Sequence, residues 1–438
     1  FAAGGLPDAS GVHRPFPVLV MAASHSRFAA ACLLPSRTTD DLIAGMWQLI
    51  ERDFKAVPDR LVWDREAGIG KARLCEPVAA FAGAIGTKIV QAGAGVAVPA
   101  GAKRVNLSGK TVMPALIDSH VHLSYTHDKL IRDLKQRGYW GVSAAMSLGV
   151  DNLELLPVRD EVIPGAARFL SAGHGITRKE PMRPTFQIEN EEEARKAVRD
   201  NFALGVKIIK IWVDDRDGKV QKVTPAQYGA AIDEAHKLGI RAIAHVFNME
   251  DAKGLMRANI DAFAHGVRDQ DVDEETVAMF KARPNIVLNP NLPDRGVKVD
   301  RSWMQAGMSP EEFAKLEKEN LDMPRVQHFH GIQARNLAKV NAAGVGIVMG
   351  TDGNRPWGPH EEMEDMVLAG MTPAQVLIAS TKNGAEFLRI ADAGTLEAGK
   401  SADFIVLDAN PLDDIKNTRK ISAVYLRGAA VDRSQPIP

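Results

Sequence analysis

Eight short apolar runs, most of them followed by a helical pattern, constrain this chain more than any other feature. The runs are Val112–Leu123, Val142–Leu148, Ala167–Ala172, Val206–Val213, Ile240–Phe247, Asp261–Val267, Asn285–Asn289 and Val345–Gly350. Helical periodicity fills most gaps, at Asp128–Arg137, Asn190–Leu204, Pro225–Leu238, Met249–Ala258, Glu274–Ala282 and Pro324–Ala343. A further helical stretch, Pro373–Leu388, follows the eighth run. Such alternation predicts an α/β chain whose parallel sheet is covered by helices. Eight units suit a (β/α)₈ barrel of the TIM type, with its active site at the C-terminal strand ends. A doubly wound sheet alternates in the same way, so periodicity alone leaves both open.

The barrel is assigned to residues 113–388. Short strand patterns at Lys88–Val98, Arg104–Val112, Ala402–Leu407 and Ala423–Leu426 flank it. They predict a small β-sandwich module built from both chain ends, with residues 1–112 giving one part and 389–438 the other. Residues 1–87 carry little pattern, apart from apolar Leu42, Ile43, Met46, Leu49 and Ile50 at near-helical spacing in Asp40–Lys55.

Charge and cysteine usage remove several functions. Lys plus Arg number 54 against 55 Asp plus Glu, a net charge of −1. That balance argues against a nucleic-acid protein held by counterion release and against a polybasic membrane surface. No apolar run reaches membrane-spanning length. Phe16–Met21 is too short and poorly flanked for an intact signal peptide, which leaves cytoplasm and periplasm both open. Cys32 and Cys75 are the only cysteines. They make no disulfide framework, and a metal site further along must use His, Asp, Glu or Lys.

Ionisable residues fall where a barrel would use them. His120 and His122 end the first run, and residues two apart on a strand share a face. Both imidazoles then point the same way, as two ligands of one cation require. Lys210 interrupts the apolar Ile208–Val213, where an ammonium is costly to bury unless paired or chemically altered. His245 and His265 follow Ala-rich strand ends, and Asp352 closes the eighth run. Each alone reads equally as a satisfied core residue or a helix cap. Six such groups at the ends of five strands point to a metal site.

This pattern resembles the amidohydrolase superfamily. The HxH pair on the first strand, Lys on the fourth, His on the fifth and sixth and Asp on the eighth match its metal-ligand set. Leu107-Ser-Gly-Lys-Thr-Val-Met-Pro-Ala-Leu-Ile-Asp118 looks like its entry to the barrel, and Ser380-Thr-Lys-Asn-Gly-Ala385 like its late helix. Gly394-Thr-Leu-Glu-Ala-Gly-Lys-Ser-Ala-Asp-Phe-Ile-Val-Leu-Asp408 looks like its C-terminal strand signature. Within the superfamily, the chain looks most like the imidazolonepropionase group, which includes prolidase-type dipeptidases. Gly141–Leu148 departs from the usual second strand.

The resemblance implies two divalent metals, zinc by default, bridged by a CO₂-derived carbamate on Lys210. His120, His122 and Asp352 would hold one metal, and His245 and His265 the other. A metal-activated hydroxide would cleave an amide, peptide or lactam C–N bond, with Asp352 shuttling the proton to the leaving amine. The alternatives are a mononuclear deaminase, an esterase or lactonase of the same superfamily, or a metal-stabilised binding protein without catalysis. The expected partner is a small-molecule or short-peptide substrate, with neither nucleic acid nor membrane. Assembly into a homo-oligomer is left open. Tyr125, Arg355 and His360 are candidate substrate contacts, Arg355 for a substrate carboxylate. The polar stretch Asn289–Arg325 reads either as a lid over the pocket or as a solvated insertion.

Overall fold

The computed structural model describes residues 5–7, 13–15, 18–22, 29–33, 39–54, 105–180 and 184–435. All eight expected runs become parallel strands: Leu116–Val121, Val142–Ser147, Arg168–Ser171, Ile208–Val213, Arg241–Val246, Ala262–Ala264, Val287–Asn289 and Gly346–Ile347. The first three pair in order, and the last five pair in order. Backbone bonds then join the eighth strand region to the first. Ser119 N donates to Met349 O at 2.9 Å, and Asp352 N donates to His120 O at 2.7 Å. The parallel strands are therefore joined across the eighth-to-first seam in the order of a barrel, as the alternation predicts, and not as a doubly wound sheet.

Two apolar layers hold it. Ile117, Ala144, Met146, Ile208, Ile243 and Ala262 cluster with one another, while Ile209, Ile211, Val213 and Ala244 belong to the layer shared with the helices. Alternation along the fourth strand therefore puts Lys210 on the same face as Ile208. Lys210 pairs in register with Ile243, and Trp212 with His245.

Local sequence starts the helices. Thr224-Pro-Ala-Gln227, Ser309-Pro-Glu-Glu312 and Thr372-Pro-Ala-Gln375 all form capping boxes. In each, a hydroxyl takes the backbone N–H three residues on, the Gln or Glu side chain reaches back, and Pro sits where no donor is needed. The expected Pro373–Leu388 helix is broken into Pro373–Ala379 and Lys382–Leu388. The helix at Asp40–Lys55 forms as Thr39–Gln48 and continues as a π-helical turn, Leu49–Phe54. Among the described residues, no helix is long and apolar enough to cross a membrane.

The first apolar run is divided between two sheets. Thr111–Pro114 pairs antiparallel with Phe404–Leu407, which continues to Ile421–Leu426 and Ala429–Ala430. At Ala115 the chain leaves that sheet for the barrel: Ala115 N bonds Asp403 O, and Leu116 N bonds Gly141 O. Among the described residues, the sheet that joins the two chain ends is this four-stranded one; residues 5–33 add two separate antiparallel pairs, Gly5–Pro7 with His13–Pro15 and Val18–Ala22 with Ala29–Leu33. The strand expected at Lys88–Val98 lies outside the described residues, and 105–110 forms no strand. The second layer of the expected sandwich is therefore not part of the described fold.

Candidate metal centre

Barrel closure builds the site. The Asp352 peptide is bonded to the His120 carbonyl, so the ends of the first and eighth strands travel together. Asp118 adds to the join by accepting from Thr351 N at 3.1 Å and Thr351 Oγ1 at 2.9 Å. Burial pushes the Asp118 carboxyl up to about 6, against the opposing charge of Arg137.

Three imidazoles converge on Asp352. His120 Nε2 and His122 Nε2 each lie 3.1 Å from Oδ1, and His265 Nε2 lies 3.5 Å from Oδ2. The ligand atoms of His120, His265 and Asp352 all fall within 4.8 Å of one another. Asp352 sits at φ 53° and His265 at φ 137°, in the left-handed half of backbone space. Non-glycine residues held there carry strain that clusters at functional sites.

The protonation states suit a cation. Burial, helped by the charge on Lys210, holds His120 well below the usual histidine range. Burial and the Arg268 charge do the same for His265. Burial works to raise Asp352, but His120, His122 and Lys210 outweigh it and keep the carboxyl below the usual range. Neutral imidazoles beside an ionised carboxylate are the forms that bind metal.

The remaining predicted residues divide. His245 packs against His265 with ring centres 4.5 Å apart. Its Nε2, however, is 3.1 Å from Asp214 Oδ2. Burial holds His245 down at about 4, so the neutral ring donates to the Asp214 carboxylate. Lys210 is fully buried, with Nζ 5.4 Å from the Trp212 ring centre. Its charge reaches His120, His245, His265 and Asp352 alike.

A cavity of about 420 Å³ opens beside Asp352. Part of the Asn289–Arg325 stretch forms one wall, including Arg295, Val297 and Arg301. That stretch carries its own helix, Pro310–Lys318. Arg355 stands at the cavity rim, half exposed, 3.6 Å from Glu319. Tyr125 is half exposed and does not line this cavity. His360 is a correction. The helix Gly358–Leu368 turns it away from Asp352 into the interior. There Nε2 meets the Trp140 carbonyl at 3.0 Å and Nδ1 meets Thr418 Oγ1 at 3.1 Å. Both ring nitrogens are used, so His360 has none to offer a substrate.

Sequence reasoning missed three neighbours of the cluster. Asn291 accepts from His120 Nδ1 at 2.8 Å, which leaves Nε2 as the lone-pair nitrogen facing Asp352. Asp214 holds His245. Arg268, three residues beyond His265, lines the cavity. None has a periodic or motif signal, because each lies on a loop after a strand.

The residues fit a divalent cation. His120 Nε2, His265 Nδ1, Asn291 Nδ2 and both polar side-chain atoms of Asn289 are buried without hydrogen-bond partners. Leaving such atoms unpaired is costly. A cation and its ligands at this point would satisfy the first of these directly, and nitrogen-plus-carboxylate donors suit zinc, manganese or iron.

Comparison with known proteins agrees with this geometry. A family model described as the amidohydrolase family matches residues 111–431. An uncharacterized protein of Mycobacterium tuberculosis is 26% identical over 360 residues, covering 75% of this chain and 87% of its own length. An imidazolonepropionase of Shouchella clausii is 24% identical over 338 residues, covering 70% and 73%. Among solved structures, a candidate prolidase from Bifidobacterium longum superposes with a TM-score of 0.65 at 29% identity, covering 78% and 86%.

Proposed function

The chain belongs to the amidohydrolase family, hydrolases of carbon–nitrogen bonds, and we propose that it cleaves the C–N bond of an amide, peptide or lactam at a metal centre built on Asp352. The convergence of His120, His122 and His265 on that one carboxylate carries the reading. His120, His122 and Asp352 would hold the first cation, with His265, which the resemblance places in the second site, standing beside them 3.5 Å from Asp352 Oδ2. His245 and a carboxylated Lys210 would complete a second site, with Asp214 releasing His245 as the metal enters. A divalent cation here supplies a Lewis acid that polarises the scissile carbonyl and lowers the pKa of water.

The chain's own groups do the rest. Asp352, ionised, takes the proton of the attacking water and returns it to the leaving amine. Asn291 fixes the His120 ring so that Nε2 keeps facing Asp352. Arg355 and Tyr125 stay as proposed contacts at the entrance, where they would meet the outer part of a substrate. The names of relatives favour small substrates of the dipeptide or lactam type.

The test joins metal counting to turnover. After loading with zinc and bicarbonate, elemental analysis should approach two equivalents per chain, with Lys210 heavier by one CO₂. The loaded protein should hydrolyse members of a dipeptide and N-acyl amino-acid library. Asp352→Asn should keep the fold and lose roughly 10²–10⁴ in turnover, the usual range for a positioned acid–base group. A plateau at one equivalent with deamination as the sole activity would favour the mononuclear alternative. Full turnover by Asp352→Asn would place the base elsewhere.

A further inference from the structure

Four arginines line the cavity beside Asp352: Arg268, Arg295, Arg301 and Arg355. Three are already neutralised. Arg295 lies 3.1 Å from Glu364 and 2.8 Å from Asp365. Arg301 donates to the Leu316 carbonyl at 2.7 Å and lies 3.9 Å from Asp294. Arg355 faces Glu319. Arg268 differs. Among the described residues no carboxylate lies within ion-pair distance of it, and its Nε is buried without a hydrogen-bond partner.

Its position is not accidental to the loop. The Arg268 peptide donates to the Phe247 carbonyl at 2.9 Å, which ties the loop after the sixth strand to the end of the fifth. The guanidinium is close enough to feel the charges of Asp352 and Asp214. A partly buried arginine with its Nε enclosed, beside Asp352 and without its own counter-ion, is a ready fork for a planar anion.

We propose that Arg268 is the specificity-determining residue of this site and that it selects substrates carrying a free carboxylate close to the scissile amide. The inference rests on the hydrolase reading above and names its substrate class. It also moves the carboxylate anchor from Arg355, at the rim, to a residue inside the cavity. A carboxylate there restores charge balance around Arg268, whereas a carboxamide leaves the guanidinium facing a neutral group. The Asp352 charge still meets the cation, so the two anions do not compete for one partner.

The experiment compares an acid with its amide. Metal-loaded wild type, Arg268→Met, Arg268→Lys and Arg355→Met are assayed on N-acetyl-L-leucine and N-acetyl-L-leucinamide. Binding of both compounds is measured in parallel by calorimetry, and unfolding midpoints check the fold. Wild type should bind the acid in preference to the amide. Arg268→Met should weaken acid binding, and raise KM for the acid, by roughly 10- to 100-fold, the range for a hydrogen bond to a charged group. The amide should change little, Arg268→Lys should recover part of the loss, and Arg355→Met, at a rim contact, should lose less on the acid than Arg268→Met does. No preference for the acid in wild type, or an equal loss on acid and amide in Arg268→Met, overturns the proposal. Should neither compound turn over, the hydrolase reading is in question on these substrates, and the binding arm alone still decides the role of Arg268.

Discussion

Around Asp352, single residues divide into those that touch the cation position and those that aim them. Asn291 is of the second kind. It sits at φ 45°, and its side chain is the partner of His120 Nδ1. Asn291→Gly removes that partner while keeping a residue that adopts positive φ without strain. Loss of a partner that orients a metal-binding histidine typically lowers metal affinity 10- to 100-fold. Competitive titration with a chromophoric chelator should show that drop, with the unfolding midpoint of the metal-free protein little changed. An unchanged affinity would mean that the His120 ring is held by packing alone. The six candidate residues were legible in the sequence because each lies in or just after a strand, and strands can be counted. Asn291, Asp214 and Arg268 were not, because a loop residue acquires its role only when the chain folds back. His360 failed for a related reason. Its closeness to Asp352 in sequence says nothing of the direction in which an intervening helix turns it.

At the scale of elements, the site depends on how tightly the first and eighth strands approach. Gly350 shows it. A Cβ there would come within 2.8 Å of the His120 backbone N and 2.5 Å of the Asn289 side-chain amide. The amide could move aside, but the backbone of a buried strand cannot do so cheaply. Gly350→Ala should therefore push the eighth strand off the first. Overpacking of this kind commonly costs about 1–3 kcal/mol. Urea unfolding should show that loss, and metal affinity should fall with it because Asp352 is displaced from His120 and His122. Wild-type stability and affinity in the variant would mean that the strands have slack. The same scale explains what the sequence revealed of the fold. Strand runs and helical patterns are local, so their positions could be read directly. The break between Ala379 and Lys382, and the switch of sheets at Ala115, are set by packing between distant segments. Neither leaves a mark in the periodicity.

Across the whole molecule, His360 links the barrel to the C-terminal segment. The ring is buried between Trp140, which follows the helix His127–Tyr139, and Thr418, in the turn Ile415–Arg419. Arg419, in the same turn, stacks on Trp303 with its guanidinium 4.3 Å from the ring centre and pairs with Glu364. Burial holds His360 down at about 3; the Trp140 carbonyl pulls the other way, and Arg419 and Arg433 add to the lowering. The neutral ring donates from Nε2 to the Trp140 carbonyl, and Nδ1 lies 3.1 Å from the Thr418 hydroxyl, which donates to the Ile415 carbonyl at 2.9 Å. An unfolded histidine titrates near 6.5. The unfolded chain therefore binds a proton that the folded chain excludes, and folding stability must fall as pH drops from about 6.5 towards 3. One excluded proton gives a slope of at most about 1.4 kcal/mol per pH unit. His360→Gln keeps a donor and an acceptor but has no proton to exclude. Urea midpoints of the metal-free proteins at pH 7, 6, 5 and 4 should show wild type ahead at neutral pH. Its lead should shrink below pH 6.5, and the difference between the two curves isolates the one group. Parallel curves at every pH would show that His360 takes up its proton without opening the junction, and that acid unfolding begins elsewhere in the barrel.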